Sequence, residues 1–186
     1  MSSWKHKRTV KRRYDLTASM YDARYAEEQE AKYHAALSEV KSTGLVLDVG
    51  CGTGLFFSHA SRNATKIVGV DISKKLLLQA KERAKTLGNV NLVQADADCL
   101  PFVDDIFDAA FAFTVLQNMP KPSETLMDIR RTTRKDAVIT VSALKKAFSR
   151  DKFEQLLLKA SLETFSIKDD ANLNCYVASS LKKGSN

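Results

Sequence analysis

Cysteine and histidine are too few and too scattered in this sequence to build a disulfide framework or a metal site. The three cysteines, Cys51, Cys99 and Cys175, form no C-x-x-C pair, and the three histidines show no metal-ligand spacing. We therefore expect reduced thiols, which are typical of the cytoplasm, and no bound metal.

Long apolar runs are also missing. No stretch of 18 or more apolar residues occurs, and the first residues lack the ordered regions of a secretory signal. These absences predict a cytoplasmic protein without a membrane span. Hydrophobic residues still make up 44% of the 186 residues, which is enough to bury the core of one domain.

Negative charge is in deficit, since 22 Asp and Glu face 29 Lys and Arg and leave a net charge of +7. Residues 1–13 contain no acid and no apolar period, which predicts a mobile basic arm without regular structure. Two further basic clusters lie near 130–135 and at 145–146. RNA phosphates would suit such an arm and such clusters, but a merely solubilising surface would look the same. The basic residues concerned are Lys5, Lys7, Arg8, Lys11, Arg12, Arg13, Arg130, Arg131, Arg134, Lys135, Lys145 and Lys146.

Short apolar segments alternate with amphipathic stretches after residue 42. Strands are predicted at 45–49, 66–70, 90–94, 107–113 and 137–143, and helices at 54–62, 73–87, 123–133 and 149–161. This alternation indicates a parallel sheet covered by helices on both faces. Segments 163–168 and 175–180 flank a turn and are expected to form an antiparallel hairpin at the sheet edge. A further helix is predicted at 27–41, which separates an N-terminal segment (1–41) from the core (42–186).

The most informative motif is residues 45–54, LVLDVGCGTG, at the end of the first strand. Gly50, Gly52 and Gly54 allow a sharp turn and a close approach of the backbone to a ligand. A dinucleotide-binding loop would need its third glycine at Leu55, and a P-loop would need Gly-Lys-Ser/Thr. Asp48, just before the loop, would repel a pyrophosphate and suits a cationic group.

Two more acids follow the next two strands. Asp71 ends the second strand, where a carboxylate can accept both hydroxyls of a ribose. Asp96 ends the third strand, where it could accept the amino group of an adenine. A tight turn with two solvated acids is the alternative, but the order and strand-end placement of all three signals favour a binding site.

With these motifs, the sequence resembles the class I, Rossmann-like methyltransferases that use S-adenosylmethionine, over residues 45–181. The resemblance implies an α/β fold with a doubly wound, mostly parallel seven-stranded sheet whose last strand is antiparallel. It also implies S-adenosylmethionine as cofactor. The cofactor-binding residues that it implies in the core are Asp48, Gly50, Cys51, Gly52, Gly54, Asp71, Ile72, Asp96, Ala97 and Phe113.

Two tyrosine-aspartate pairs precede the core, Tyr14-Asp15 and Tyr21-Asp22. They resemble the pairs in the quinone-methylating and related methyltransferase-11 subgroup, in which this segment forms a lid on the cofactor. The resemblance implies that residues 1–41 combine the basic arm with a helical lid, and that Tyr21 contacts the cofactor.

The methyl acceptor is less defined than the cofactor. Methyl transfer from a sulfonium is an in-line displacement that needs no catalytic residue when the acceptor is already nucleophilic. Thr114, Gln117 and Asn118 follow the fourth strand and could orient an acceptor, although a turn before Pro120 explains Gln117 and Asn118 equally well. The motif of exocyclic-amine methylases is absent, and no cysteine near the fourth or fifth strand could serve a cytosine-C5 enzyme.

Three functions therefore remain open. Methylation of tRNA or rRNA is favoured by the charge, and methylation of a quinone, lipid or metabolite is favoured by the tyrosine-aspartate pairs. A non-catalytic subunit that keeps the fold is the third. The third strand (89–94) would lie at the sheet edge without lysine or proline to block pairing. Such an edge resembles the docking site of the small zinc-binding activator subunit of RNA and protein methyltransferases.

Overall fold

The computed structural model describes residues 3–182, and within them seven strands form one mixed sheet. The sheet order is β3-β2-β1-β4-β5-β7-β6. β1 to β5 run parallel to one another, and β7 lies antiparallel to both β5 and β6. The predicted fold class is confirmed. The strands are β1 Gly44–Val49, β2 Ala64–Asp71, β3 Val90–Gln94, β4 Phe107–Ala112, β5 Thr133–Leu144, β6 Leu162–Lys168 and β7 Cys175–Lys182.

Helices cover both faces of this sheet. They are α1 Ser3–Thr17, α2 Tyr21–Leu37, α3 Phe57–Ala60, α4 Lys74–Ala84, α5 Pro122–Thr132 and α6 Arg150–Lys159, with 3₁₀ turns at Ala18–Met20 and Leu116–Asn118. α2, α3 and α4 pack on one face, and α5 and α6 pack on the other. None of the helices in the described part is long and apolar enough to cross a membrane.

Two apolar clusters, one on each face, hold the helices to the sheet. On one side Leu126 of α5 and Phe153 of α6 are fully buried against β1, β4 and β5. On the other side Tyr33 of α2 packs on Phe56 and Phe113, with ring centroids 5.1 and 4.9 Å apart. Burying each large side chain contributes about 1.5–3 kcal/mol, so α2 is held to the core by packing.

The strand register brings the polar strand ends to one edge of the sheet. Val49 of β1 pairs with Val70 of β2, and Asp71 pairs with Gln94 of β3. β1 also pairs with β4, where Asp48 lies opposite Phe111. Because the strands are parallel, the loops that leave β1, β2, β3 and β4 meet at their carboxyl ends, where ligands bind in open α/β sheets.

The predicted basic arm is wrong for residues 3–13, because α1 is a helix that starts at Ser3. Residues 1–2 of that arm, and 183–186 of the predicted core, lie outside the described residues. Lys7, Val10 and Tyr14 occur at i, i+3 and i+7 and all line the cavity described below. The sequence shows no apolar period here because Val10 is the only aliphatic residue of these three.

The helix predicted at 54–62 is also too long. Only Phe57–Ala60 is helical, with turns on either side. Gly54 has a φ of +79°, which is incompatible with a right-handed helix, so the helix starts only after the glycine loop is complete. The strand hairpin and the edge position of β3 are confirmed.

Candidate active site

A cavity lies over the carboxyl ends of β1 to β4, with about 680 Å³ of space not filled by protein atoms. α1 and the start of α2 form its outer wall. Most of the predicted site residues line it: Gly50, Gly52, Asp71, Ile72, Asp96, Ala97, Phe113, Tyr21, Thr114 and Asn118. We call this the cofactor cavity. Lys7, Val10 and Tyr14 of α1 also line it, and the sequence did not predict that Lys7 and Val10 would.

Asp71 is held by two backbone amides at the end of β2. Its Oδ2 accepts from the N–H of Gly52 at 3.0 Å, and its Oδ1 accepts from the N–H of Ser73 at 2.7 Å. Burial raises the pKa of Asp71 to about 6, although these two hydrogen bonds act in the opposite direction. The carboxylate therefore ties the glycine loop to β2 and presents an acceptor group to the cavity.

Asp48 lies beneath the glycine loop, beside a smaller cavity that Tyr21, Gly50 and Phe113 share with the cofactor cavity. It is only 2% exposed, and its Oδ2 has no hydrogen-bond partner in the described residues. Burial, followed by the charge of Asp71, raises the pKa of Asp48 to about 8. A buried acceptor without a partner is costly, so this carboxyl suits a cationic ligand group.

The glycine loop turns back over β2 immediately after β1. The N–H groups of Gly50 and Cys51 both donate to the carbonyl of Val70, at 2.7 and 3.0 Å. Gly52 has a φ of +56°, and a Cβ there would meet only the Tyr21 ring, at 3.9 Å. Gly52 therefore faces the cofactor cavity, in a conformation that side chains with a Cβ rarely adopt.

Two residues of the predicted motif face elsewhere. Cys51 is buried, lines only the small cavity beside Asp48, and its Sγ packs towards Gly69. Burial raises the pKa of the Cys51 thiol well above its ordinary value, so this thiol is not poised as a nucleophile. Gly54 lies over the Phe57 ring and does not line either cavity.

α1 is fastened to the core by a buried lysine. Lys7, which is 8% exposed, places its Nζ 2.7 Å from Asp96 Oδ2 and 2.6 Å from Asp98 Oδ2. Burial alone would lower the pKa of Lys7, but hydrogen bonds and charges from both acids raise it overall. The carboxylate predicted to accept an adenine amino group therefore already binds one cation from the chain itself.

The aspartates of both tyrosine-aspartate pairs hold the N-terminal helices on the core. Asp15 Oδ1 accepts from the hydroxyl of Ser73 at 2.6 Å, and Ser73 is the N-cap of α4. Asp22 accepts from the Thr53 hydroxyl at 2.6 Å and from Arg83 at 2.8 Å. Each pair thus connects to a segment that follows β1 or β2, which gives the pattern a physical meaning.

Thr114 lies at the end of β4 in a strained conformation. Its φ is +63°, which is rare for a β-branched residue, and its N–H donates to Ser142 Oγ at 2.8 Å. Its Oγ1 accepts from Gln29 and from Lys32, both at 3.2 Å. The sequence did not indicate these two α2 residues, because nothing local to a helix shows which strand end it will cover.

Gln117 and Asn118 form the 3₁₀ turn after Thr114. Asn118 donates to the Tyr14 hydroxyl at 3.0 Å and accepts from Arg13 at 2.8 Å. The Gln117 side-chain amide donates to the Thr114 carbonyl, while its Oε1 is buried without a partner in the described residues. The alternative prediction of a turn before Pro120 is correct for the backbone. The side chains of Gln117 and Asn118 nevertheless line cavities.

A second, larger cavity adjoins the first. It contains about 1,990 Å³ of space not filled by protein atoms, including the solvent at its open side, and it lies between α1, α2 and the segments after β4, β5 and β6. We call it the outer cavity. Tyr14, Tyr21, Thr114 and Asn118 line both cavities, and Gln117 lines only the outer one. These shared residues form the boundary between the two cavities.

A model of the methyltransferase domain family, Methyltransf_11, matches residues 47–141, which run from the glycine loop into β5. The chain belongs to this family. The matched residues therefore form a methyltransferase domain.

Known proteins support this assignment. The chain is 35% identical over 103 residues to a demethylmenaquinone methyltransferase of Staphylococcus saprophyticus, covering 54% of this chain and 44% of that protein. It therefore spans less than half the length of this relative. The DhpI–SAH complex matches with a TM-score of 0.83 at 19% identity, over 99% of this chain and 100% of that one. A methyltransferase solved with the Haloferax volcanii Trm112 activator matches with a TM-score of 0.82 at 16% identity, over 95% and 99%.

The residues around the cofactor cavity fit S-adenosylmethionine. Asp48 offers a buried acceptor without a partner to the amino group, and Asp71 offers a carboxylate to the ribose. Gly50 and Gly52 would let the backbone approach the ligand, since both have a positive φ and line the cavity. Ala95 and Ala97 leave room near Asp96 for a flat ring.

Proposed function

We propose that this chain transfers the methyl group of S-adenosylmethionine to a small molecule that binds in the outer cavity. The observation that carries the proposal is the boundary at Tyr14, Tyr21, Thr114 and Asn118, where the outer cavity adjoins the cofactor cavity beneath α1 and α2. An acceptor in the outer cavity would approach the cofactor there. S-adenosylmethionine, when bound, supplies an activated methyl group on a positively charged sulfur.

The chain contributes position and the exclusion of water. Asp48 would bind the amino group of the cofactor, Asp71 the ribose and Asp96 the adenine, with Tyr21 and Phe113 along its length. Methyl transfer requires nucleophile, methyl carbon and sulfur in line, so rigid placement supplies much of the rate. Two ion pairs and two aspartate hydroxyl bonds hold the N-terminal helices over this line.

The arrangement of charge supports a small acceptor over RNA. Many of the basic residues that suggested RNA are already bound to acids of the same chain. Arg131 pairs with Asp104 and Asp128, and Arg134 pairs with Asp108. Lys7, Lys11 and Lys145 are likewise paired. Cations neutralised in this way release few counterions on binding nucleic acid, so they contribute little to RNA affinity.

The substrate class can be tested with labelled cofactor. The full chain is incubated with methyl-tritiated S-adenosylmethionine and either a metabolite fraction below 3 kDa or total RNA. We expect labelled products in the metabolite fraction, resolved from the labelled cofactor. We expect no ribonuclease-sensitive label in the RNA that a filter retains. Asp71→Asn, which keeps the size of the side chain and removes its charge, should abolish the transfer. Ribonuclease-sensitive label in RNA would contradict the proposal.

A partner on β3 is a second possibility that one observation favours. Among residues 3–182, β3 pairs with β2 alone, so its other side is an open edge. Asn91 and Gln94 of this strand are exposed. An activator such as the one bound by the Haloferax neighbour would add a strand here. Co-expression with a zinc-binding activator should yield a complex that Asn91→Pro disrupts, and a wild-type chain that is monomeric and fully active alone would argue against it.

A further inference from the structure

We propose that the methyl acceptor is a small anion whose carboxylate or phosphate is bound by arginine and lysine side chains of the outer cavity. This inference rests on the proposed function and deepens it, because it names the charge of the acceptor. The outer cavity is lined by five basic residues, Arg13, Arg24, Lys32, Lys145 and Lys146, and by one acid, Glu28.

The distribution of partners leaves positive charge facing this cavity. Lys32 is fully buried and pairs with Glu28 at 2.7 Å, and Lys145 pairs with Asp169 at 2.8 Å. The ion pairs of residues 3–182 include none with Arg13, Arg24 or Lys146. Arg13 donates to the neutral amide of Asn118, so none of these three positive charges is neutralised by an acid in the described residues.

Tyrosine rings form another part of the cavity wall. Tyr21 lies between Tyr14 and Tyr25, with ring centroids 6.1 and 5.0 Å away. The guanidinium of Arg13 lies 4.9 Å from the Tyr14 ring centre, and that of Arg24 lies 6.0 Å from the Tyr25 ring centre. A planar acceptor could pack on these rings while its anionic group reaches the guanidinium groups, which bind carboxylates and phosphates in a bidentate manner.

The same geometry orients the reactive end of the acceptor. Tyr14 and Tyr21 line both cavities, so a ligand packed on them extends towards the boundary at Thr114 and Asn118. An anion anchored by Arg24 and Lys146 would hold the opposite end of the molecule near the cofactor cavity. The charged end of the acceptor thus contributes affinity, and anchoring it aligns the reactive end with the cofactor.

The test compares matched anionic and neutral probes by calorimetry on the full chain saturated with S-adenosylhomocysteine. The pairs are 4-hydroxybenzoate with 4-hydroxybenzamide, and phenyl phosphate with phenol. We expect the anion of at least one pair to bind ten times more tightly or better, and the responding pair distinguishes a carboxylate from a phosphate. The variant Arg24→Gln/Lys146→Gln should lose that preference. The control Arg62→Gln/Lys66→Gln removes the same charge from exposed positions outside both cavities and should keep it.

Equal binding of both members of each pair, or no binding of either anion, would overturn the inference. So would an anion preference that survives Arg24→Gln/Lys146→Gln. Total tRNA serves as a competitor. Binding of tRNA in place of the small anion, with a much steeper salt dependence than one small anion shows, would indicate a polyanion site and would also overturn the inference. Methylated RNA in the labelling assay would refute the small-molecule function itself, whereas methylated metabolites without an anion preference would refute only the charge of the acceptor.

Discussion

Cofactor binding by this chain should strengthen as the pH rises from 6.0 to 7.5, because Asp48 must lose a proton to bind the amino group of the ligand. Burial raises the pKa of Asp48 to about 8 in the ligand-free chain, so its carboxyl is mostly protonated at pH 6. The amino group of the ligand stays largely protonated below about pH 8. Binding therefore pairs a cation with a carboxylate that forms only at the cost of a released proton.

The size of the effect follows from that pKa. With a pKa of about 8 when free and about 4 when paired with a cation, the ionised fraction rises from roughly 1% at pH 6.0 to roughly 24% at pH 7.5. The dissociation constant should then fall about 20-fold, which equals about 1.8 kcal/mol. Asp71, with a pKa of about 6, adds at most about a factor of two in the same direction.

Calorimetry with S-adenosylhomocysteine in buffers of different ionisation enthalpy measures both the affinity and the protons released. We expect release of about 0.9 proton per ligand at pH 7.0. Asp48→Asn should bind more weakly and with an almost flat pH profile. Asp71→Asn should bind more weakly while it keeps most of the slope, which separates the two carboxyls.

A wild-type affinity that does not change between pH 6.0 and 7.5 would refute this reasoning. A slope that persists in Asp48→Asn would do so too, because the proton would then come from another group.

Four further predictions concern stability and the N-terminal helices. In the ligand-free chain the raised pKa of Asp48 should lower stability as the pH rises from about 4 to about 8. Denaturant titrations of Asp48→Asn should show only the smaller loss that the raised pKa of Asp71 causes between about pH 4 and 6. Ser73→Ala and Ser149→Ala each remove an N-cap and should lower the free energy of unfolding by about 1 kcal/mol in such titrations. Only Ser73→Ala should also weaken cofactor binding. Equal cofactor binding by the two variants would contradict the anchoring role of Ser73. Lys7→Met should cost on the order of 2 kcal/mol and speed cofactor release in stopped-flow experiments, unlike the exposed control Arg8→Gln. Gly52→Ala, at a φ of +56°, should cost about 1 kcal/mol in thermal unfolding and reduce cofactor affinity at least tenfold; unchanged affinity would mean that the ligand does not approach Gly52.

The core of the fold could be predicted because its signals are local. Apolar runs such as 45–49 and 107–113 reveal strands, and the glycine loop and strand-end acids follow each other in a fixed order. Once the strands are parallel, their carboxyl ends share one edge, so Gly52, Asp71 and Asp96 had to meet. The family resemblance supplied the strand order and the antiparallel β7, which local patterns do not contain.

The N-terminal segment was misjudged because its buried face is polar. A helix is recognised in a sequence by apolar periodicity, and the face of α1 that lines the cofactor cavity carries Lys7 and Tyr14. Lys7 is buried only because Asp96 and Asp98, about 90 residues further along the chain, offer two carboxylates at that position. Such a pairing is a property of the assembled fold.

The sequence alone predicted the strands and the glycine loop, since these follow from residue types at short spacings, and its resemblance to a family implied the strand order and the class of reaction. Only the tertiary structure decided that α1 and α2 cover the cofactor cavity and that Asp48 Oδ2 has no hydrogen-bond partner among residues 3–182. It also decided that many of the basic side chains pair within the chain while others line the outer cavity. The reason is physical: charge and burial depend on which distant groups come within a few ångströms, and spacing along a chain does not contain that distance.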